Sequence, residues 1–597
     1  MTDQTFPPTK PDVVVIGAGW AGSIMAKELT EAGLNVTMLE RGHDHSTAVE
    51  GTYPGSIDEL RGAVRKRLFQ KLAHTSLTIR NKPNETALPY RQLAAFLPGE
   101  GVGGAGLHWS GCHFRVTEDD LRLRSATIER YGQKFIPKDM HLQDYGISYK
   151  ELEPFFDKAE KVFGTSGEAS SVQGKKTGQG NIFAPDRSDH FPLPAMADTF
   201  SASVFRKAAS EAGFHPYSMP AANASQPYTN PYGCQMGPCN FCGYCSGYAC
   251  YLYSKASPNV NILPALRQDK RFNLITQAQV LEIMLDDTRK RATGVRYIDL
   301  KTESEQIIEA DLVILSAFQL NNVHLMLTSG IGKPYDPVSQ TGTIGRNFTY
   351  QTITSSRVWL PENRFTNQFV GAGGGGVAID DFNHSGLDRG KAGFIGGSPI
   401  WVNQAGLKPI TAAQNSGGKG APRWGSAYKA AMIDQYKHSL AIDAHGSNMA
   451  YRDVYLDLDP TWRNAYGQPM LRMTFTWKDN DIRMNQFVVN HIGDIAQAMG
   501  ATKTSLNSLH PGQPFDSRVY QTTHLNGGVI LGNNPKTSAL NRYLQSWDVS
   551  NLFVIGSSAF PQGMGYNPTG LVAALAYWSA YHIRQTYLRN PGPMVHA

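Results

Sequence analysis

The chain is written in short, fully apolar blocks separated by turns rather than in long alternating runs. Residues 13–16, Val-Val-Val-Ile, are β-branched without a break, the pattern of a parallel strand covered on both faces. Glycines at 17, 19 and 22 follow at once. Ile24, Met25 and Leu29 then fall on one face of a helix expected over residues 23–32, which Gly33 ends. Residues 36–39 form a second buried strand that closes on Glu40. Residues 274–283 and 292–300 read as strands of a hairpin or small sheet, and 311–316 and 551–556 as further buried strands. The last of these opens into a glycine-rich turn and a helix from Thr569. Two segments carry helical periodicity. One starts at Ser148, places Leu152, Phe155, Phe156, Ala159 and Phe163 near one face, and stops at Gly164. The other covers 481–499 through Ile482, Phe487, Val488, Ile492 and Ile495, with Asn480 placed to cap its start and Gly500 its end. Loops dominate 41–98, which holds a candidate helix at 57–73, and also 165–230. Residues 347–450 mix short strands with the glycine run 371–376.

Strand, glycine turn, helix, second strand and terminal acid together make the first forty residues a dinucleotide-binding unit. Gly17 permits the tight turn, Gly19 lets a pyrophosphate approach the backbone, and Gly22 lets helix pack on strand. Glu40 stands where a carboxylate accepts hydrogen bonds from a ribose. The second glycine cluster, residues 99–115 (GEGVGGAGLHWSGCHFR), has no strand alternation and fits backbone lying close to a ligand. His108 and Trp109 are its bulky members.

A length of 597 residues exceeds what one core usually serves, and 59 glycines and 34 prolines promise many turns. The net charge of +6 is small and its basic residues are scattered, so nucleic-acid binding is not indicated. No apolar run of about eighteen residues is present, so no transmembrane helix is expected. The first strand begins too early to leave room for an export signal. Such a chain stays in the cytoplasm unless it is exported folded beside a signal-bearing partner.

Five of the six cysteines fall within residues 234–250, CQMGPCNFCGYCSGYAC. The spacing of Cys234, Cys239, Cys242 and Cys245, with Cys250 beyond, suits a short loop wrapped round an iron–sulfur cluster, of three or four irons. Zinc and disulfide pairing are the alternatives. A flavin with such a cluster implies a dehydrogenase wired to an external one-electron acceptor rather than an oxidase. Late in the chain, His524 in TTHLNGG and Asn567 in GMGYNPTG each occupy a glycine-rich turn. An imidazole there can take an alcohol proton, and an amide can orient the same hydroxyl.

These landmarks, in order VVVIGAGWAG with Glu40, GEGVGGAGLHW, the cysteine loop, DLVILSA, GRNF, THLNGG and SNLFVIGSSAFPQGMGYNPTGLVAALA, resemble the glucose–methanol–choline (GMC) flavoprotein oxidoreductases almost end to end. Within that family the chain is most similar to the flavoprotein subunits of gluconate 2-dehydrogenase-type sugar dehydrogenases. The resemblance implies an α/β (α+β) fold: a Rossmann-like FAD-binding domain from 1–145, 231–345 and 500–597, and a substrate domain with an antiparallel sheet from 146–230 and 346–499. It implies FAD contacts at Gly17, Gly19, Trp20, Ala21, Gly22, Glu40, Arg41, Gly103, Gly104, His108, Trp109, Val280, Ser316, Ala317, Asn567, Pro568 and Thr569. His108 occupies the slot where some relatives bond the flavin covalently. His524 matches the family's base and Asn567 its second polar partner, often a histidine in relatives. The implied reaction oxidises a sugar-acid hydroxyl, gluconate at C2, with other sugars or polyols and an oxygen-using alcohol oxidase as alternatives. A subunit that only binds FAD and cluster is the non-catalytic alternative. The implied assembly pairs the chain with a small twin-arginine-exported subunit and a multihaem cytochrome c subunit at the periplasmic face of the bacterial inner membrane.

Overall fold

The computed structural model describes residues 10–44, 47, 77–90, 96–414, 420–519 and 522–596. The candidate helix at 57–73 lies outside them. Among the described residues, the apolar blocks assemble into a five-stranded parallel sheet in the order Phe272–Thr276, Val36–Glu40, Val13–Ile16, Leu312–Leu315, Leu552–Val554. Val13 lies opposite both Val36 and Leu312, so three distant parts of the chain meet in one register. The central strands are buried at every position, which is why they read as unbroken apolar runs. Helix Trp20–Glu31 packs on the last helix, Thr569–Gln585, which in turn packs on Tyr149–Phe163.

A second, antiparallel sheet runs Lys503–Ser505, Thr352–Trp359, Ser439–Gly446, Ile400–Asn403, Gly376–Ile379, Tyr217–Ser218. Helices Asp479–Ala498 and Phe200–Glu211 cover it and share with it a separate core that includes Ile442, Val488, Ile492 and Phe205. Its edge strand, Lys503–Ser505, comes from the segment the resemblance assigns to the FAD domain. A three-stranded antiparallel sheet of Ala278–Leu285, Ala292–Asp299 and Ser304–Glu309 flanks the parallel one.

Three local expectations change. The apolar run at 274–283 is two strands: Phe272–Thr276 joins the parallel sheet and Ala278–Leu285 the antiparallel one. Between them Gln277 takes a left-handed φ of 57° and turns the chain from one sheet to the other, a break with no hydrophobic signature. The first helix begins at Trp20, not at residue 23, because the glycine turn itself supplies its first helical residues. Asn480 does not cap its helix. The helix starts at Asp479 after Lys478, and the Asn480 side chain instead pairs both ways with the backbone of Ile395, at 2.7 and 3.0 Å.

Where the second glycine cluster ends, Arg115 is clamped to helix Tyr149–Phe163. Its guanidinium donates two parallel bonds of 2.8 Å to the Glu160 carboxylate and a third of 2.8 Å to Glu153. Arg187 donates to the same Glu160. The Arg115 and Glu160 side chains are 6% and 2% exposed. Burial alone would raise the Glu160 carboxyl, but the two arginine charges win and hold it down at about 2. A carboxyl lowered in the folded state stabilises the fold above its unfolded value near 4.5 and loses that contribution as pH falls toward 2. Glu160→Gln should therefore cost about 3–5 kcal/mol at neutral pH, since it leaves two buried cations without their anion. Chemical denaturation at pH 7 and pH 4 checks this: the gap between variant and native chain should narrow at the lower pH.

Candidate functional site

A cleft opens at the carboxyl ends of the parallel strands, lined by Ile16, Leu39, Ser316 and Ile555 and entered by the first residues of two helices, Trp20 and Thr569. The N–H groups of both helix ends and their dipoles favour an anion here. The glycine turn does what its spacing demands. Gly17 has φ 100°, and a Cβ on it would lie 2.5 Å from the Ser316 carbonyl. A Cβ on Gly22 would lie 2.0 Å from the Gly17 carbonyl, whereas nothing lies within 4 Å of one on Gly19. Open space is thus left at the position where a pyrophosphate would come in.

Of the predicted cofactor residues, Gly17, Gly19, Trp20, Ala21, Glu40, Arg41, Gly104, Val280, Ser316, Ala317, Pro568 and Thr569 line this cleft. Gly22 lies behind it, in the helix–strand contact. Gly103, His108, Trp109 and Asn567 do not line it. Gly103 sits at the head of the short turn Gly104–Leu107, held by its N–H to the Ala18 carbonyl at 2.9 Å. Trp109 turns inward and donates from Nε1 to the Ala256 carbonyl at 2.7 Å. Glu40 accepts from the N–H of Ala18 at 3.0 Å and of Gly42 at 2.8 Å, which fixes its carboxylate at the cleft wall.

The cleft wall is also braced by a residue behind it that carried no sequence signal. Asn322 receives the Ala317 N–H at 2.8 Å and donates to Ser558 Oγ at 2.9 Å, tying together the ends of strands that are more than two hundred residues apart. Among the described residues Trp20 Nε1 and Gln279 Oε1, both on the lining, are buried without a hydrogen-bond partner. Buried polar atoms are rarely left so, and a bound dinucleotide can satisfy both. The cleft therefore fits an adenine dinucleotide by shape, by helix ends and by waiting donors and acceptors.

Past Thr569, His524 and Asn567 meet although they are 43 residues apart in sequence: Asn567 Nδ2 lies 3.4 Å from His524 Nε2. The other ring nitrogen, Nδ1, bonds to Oε1 of Gln351. Gln351 donates from its amide to the carbonyls of Met564 at 2.7 Å and Tyr566 at 3.2 Å, so its oxygen must face the histidine. That assigns the proton of His524 to Nδ1 and leaves the Nε2 lone pair facing Asn567. Burial lowers the His524 pKa to about 3, which keeps the ring a neutral acceptor. Asn567 Oδ1 is buried with no partner among the described residues. A hydroxyl placed between the two side chains could give its proton to Nε2 and bond to the amide.

Gln351 and two further neighbours were invisible in the sequence. His445, on strand Ser439–Gly446, sets its ring 5.6 Å from that of His524 and 4.3 Å from Trp401. Asp380, fully buried, accepts from Tyr566 at 2.6 Å and Tyr217 at 3.1 Å and so anchors the residue before Asn567. Each is an ordinary polar residue on a strand or in a turn, and only folding brings it to the pair.

The cysteine loop divides. Cys239, Cys242, Cys245 and Cys250 lie close enough to act on one another electrostatically. Cys234 stands apart: it faces the Lys27 side, and its backbone is pinned to Asn230, whose Oδ1 accepts the Cys234 N–H at 3.0 Å. Burial pushes the Cys239 thiol up to about 12 and Cys245 to about 11. Two sulfurs already accept backbone N–H groups, Cys245 from Gly373 at 3.2 Å and Cys239 from Phe241 at 3.4 Å. In this geometry no three His, Cys, Asp or Glu side chains among the described residues converge as metal ligands. By residue type, four cysteines within residues 239–250, two of them receiving N–H groups at sulfur, make a donor set that suits an iron–sulfur cluster.

Comparison with known proteins agrees with this geometry. The GMC oxidoreductase pattern matches residues 141–353 and 451–576, and a NAD(P)-binding Rossmann-like pattern matches 15–84. The chain is 60% identical over 592 residues to the gluconate 2-dehydrogenase flavoprotein of Pantoea cypripedii, covering 98% of this chain and 96% of that one. It is 26% identical to the 2-methyl-1,2-propanediol dehydrogenase of Mycolicibacterium austroafricanum, covering 96% and 95% of the two chains. Against the fructose dehydrogenase large subunit of Gluconobacter japonicus it is 24% identical, covering 97% and 98%. Pyridoxine 4-oxidase from Mesorbium loti shares the fold, with a TM-score of 0.55 over 96% of this chain and 98% of that one at 15% identity. Joined to the glycine-turn cleft and the His524–Asn567 pair, these matches establish that the chain belongs to the GMC oxidoreductase family.

Proposed function

We propose that the chain is the catalytic flavoprotein of a dehydrogenase that oxidises a secondary hydroxyl of a sugar acid, D-gluconate at C2, to the ketone. Electrons then leave through an iron–sulfur cluster on the cysteine loop to a cytochrome c subunit. The substrate assignment is carried by the 60% identity, over nearly the whole of both chains, to a gluconate 2-dehydrogenase flavoprotein. The site chemistry rests on the His524–Asn567 pair beside the helix that enters the cleft. FAD, when bound, supplies the two-electron acceptor, and the residues lining the cleft from Gly17 to Glu40 and at Ser316 and Thr569 hold it. His524 Nε2 takes the hydroxyl proton. Asn567 fixes the hydroxyl, Gln351 holds the imidazole in its tautomer, and Asp380, through Tyr566, steadies the turn. A single base suffices, because asparagine cannot serve as a second one.

The cluster ligands are best drawn from Cys239, Cys242, Cys245 and Cys250. Cys234, expected from spacing to be among them, has its thiol outside the group. Metal binding would displace the thiol protons that burial now retains. No helix among the described residues is long and apolar enough to cross a membrane, which accords with a peripheral flavoprotein at the periplasmic face of the inner membrane, carried out by a small twin-arginine subunit. His108, directly after the turn that lines the cleft, is the candidate point of covalent attachment. Its ring is 5% exposed and burial, with the charge of Lys255, lowers its pKa to about 3, so the ring is unprotonated and keeps a nitrogen lone pair.

His524→Ala should keep stoichiometric FAD and lose about 10²–10⁴-fold in kcat for gluconate. Gln351→Leu, which frees the ring to rotate, should lose up to about 10²-fold. Anaerobic flavin bleaching against a panel of sugars and sugar acids reads both and tests the substrate: bleaching by another polyol but not gluconate ends the gluconate assignment. Because burial holds His524 neutral, kcat/KM should stay level as pH falls through 6.5 and decline only well below it; a limb centred near 6.5 would contradict the assigned base. Acid-precipitated protein should remain yellow, whereas flavin wholly released to the supernatant would remove His108 as an attachment point.

A further inference from the structure

Between the cleft and the cysteine loop lies one fully buried cation. Lys255 is 1% exposed. Four backbone carbonyls face its Nζ, those of Trp109, Cys245 and Tyr248 at 2.7 Å and that of Leu107 at 3.1 Å, so all three N–H bonds are taken and one is shared. Two of these carbonyls belong to the end of the cleft-lining turn Gly104–Leu107 and the residues just after it, and two to the cysteine loop. A backbone bond runs parallel to the clamp, from the Gly247 N–H to the His108 carbonyl at 2.7 Å. One ammonium thus ties the flavin side to the sulfur side.

Its charge is the second observation. Among the described residues Lys255 has no carboxylate in ion-pair range, and the groups of opposite potential charge that act on it are the thiols of Cys242, Cys245 and Cys250. A buried ammonium without an anion is expensive, and carbonyl dipoles offset only part of that cost. Thiolates held by iron would supply the anion. We propose that Lys255 is a positioning residue for electron transfer: it fixes the spacing between the flavin turn and the cysteine loop and serves as built-in counter-charge to the thiolate-held cluster, making that cluster easier to reduce. The inference rests on the reading that the loop carries iron and sulfide. Each alcohol oxidised releases two electrons, and these leave singly to two equivalents of a one-electron acceptor while two protons pass to solvent.

The test compares the full-length native protein with Lys255→Gln and Lys255→Met. Glutamine keeps two donors without the charge, and methionine removes both. Iron and acid-labile sulfide are measured first: native protein without them ends the cluster reading itself. With the cluster present, a redox titration followed by electron paramagnetic resonance should show Lys255→Gln shifting the flavin–cluster equilibrium about tenfold against reduction of the cluster, which is 59 mV for one electron. Reoxidation of the flavin by ferricyanide should slow in step, while anaerobic flavin reduction by gluconate is unchanged. An unshifted potential in an iron-replete variant would overturn the role of Lys255 and leave the cluster standing. Should neither variant fold, hydrogen exchange on the native chain with iron present and after anaerobic chelation decides. Residues 104–109 and 245–248 should loosen together on loss of iron, and loosening of the cysteine loop alone would refute the clamp.

Discussion

The contact between Gly22 and the carbonyl of Gly17 is the constraint on which the rest depends. No side chain fits between them, since even a Cβ would come within 2.0 Å. That closeness seats helix Trp20–Glu31 directly on the strand ends and points its N–H groups into the cleft. The last helix reaches the same cleft from the other end of the chain, packed on the first. Two helix ends and a floor of strand termini then converge where charge from a pyrophosphate can be met by backbone N–H groups. Ser316, whose Oγ bonds the Ile16 carbonyl at 2.9 Å, locks the adjacent strand to the same turn.

The two working ends of the molecule use burial in opposite ways. Around His524, enclosure favours the neutral form, and Gln351 spends its own amide protons on backbone carbonyls so that its oxygen selects the tautomer. A neutral acceptor nitrogen is thereby held without a nearby carboxylate, which would have drawn the ring toward the protonated state. On the cysteine loop, enclosure favours protonated thiols, and only a bound metal could reverse that preference. Lys255 fits such a reversal, because its buried charge is otherwise without an anion. The cleft and the cysteine loop are joined by one short stretch, from Gly104 to Trp109, that lines the cleft at its start and meets the ammonium at its end.

The parallel sheet, its glycine turn, Glu40 and the long helix from Asp479 were legible in the amino-acid order because each rests on local rules: fully buried strands read as apolar runs, and glycine marks where backbone must pass close. The cleft residues near those motifs followed with them. What the linear order could not convey was the turn at Gln277 that splits one apolar run between two sheets, since both halves are equally hydrophobic. The same holds for Asn480, a good cap by residue type that the fold uses to bind Ile395 instead.

Chain order alone also brought His524 and Asn567 forward as candidates, through their glycine-rich turns and family resemblance. Their meeting at 3.4 Å, the orientation by Gln351, the anchoring by Asp380 and the nearby ring of His445 were decided only by the tertiary structure. So was the separation of Cys234 from the other four cysteines of its loop, because spacing along a loop says which cysteines are near in sequence and not which way each side chain turns. Local backbone chemistry is written in neighbouring residues; the partners of a polar side chain are set by packing between segments hundreds of residues apart, and no short stretch of sequence encodes that.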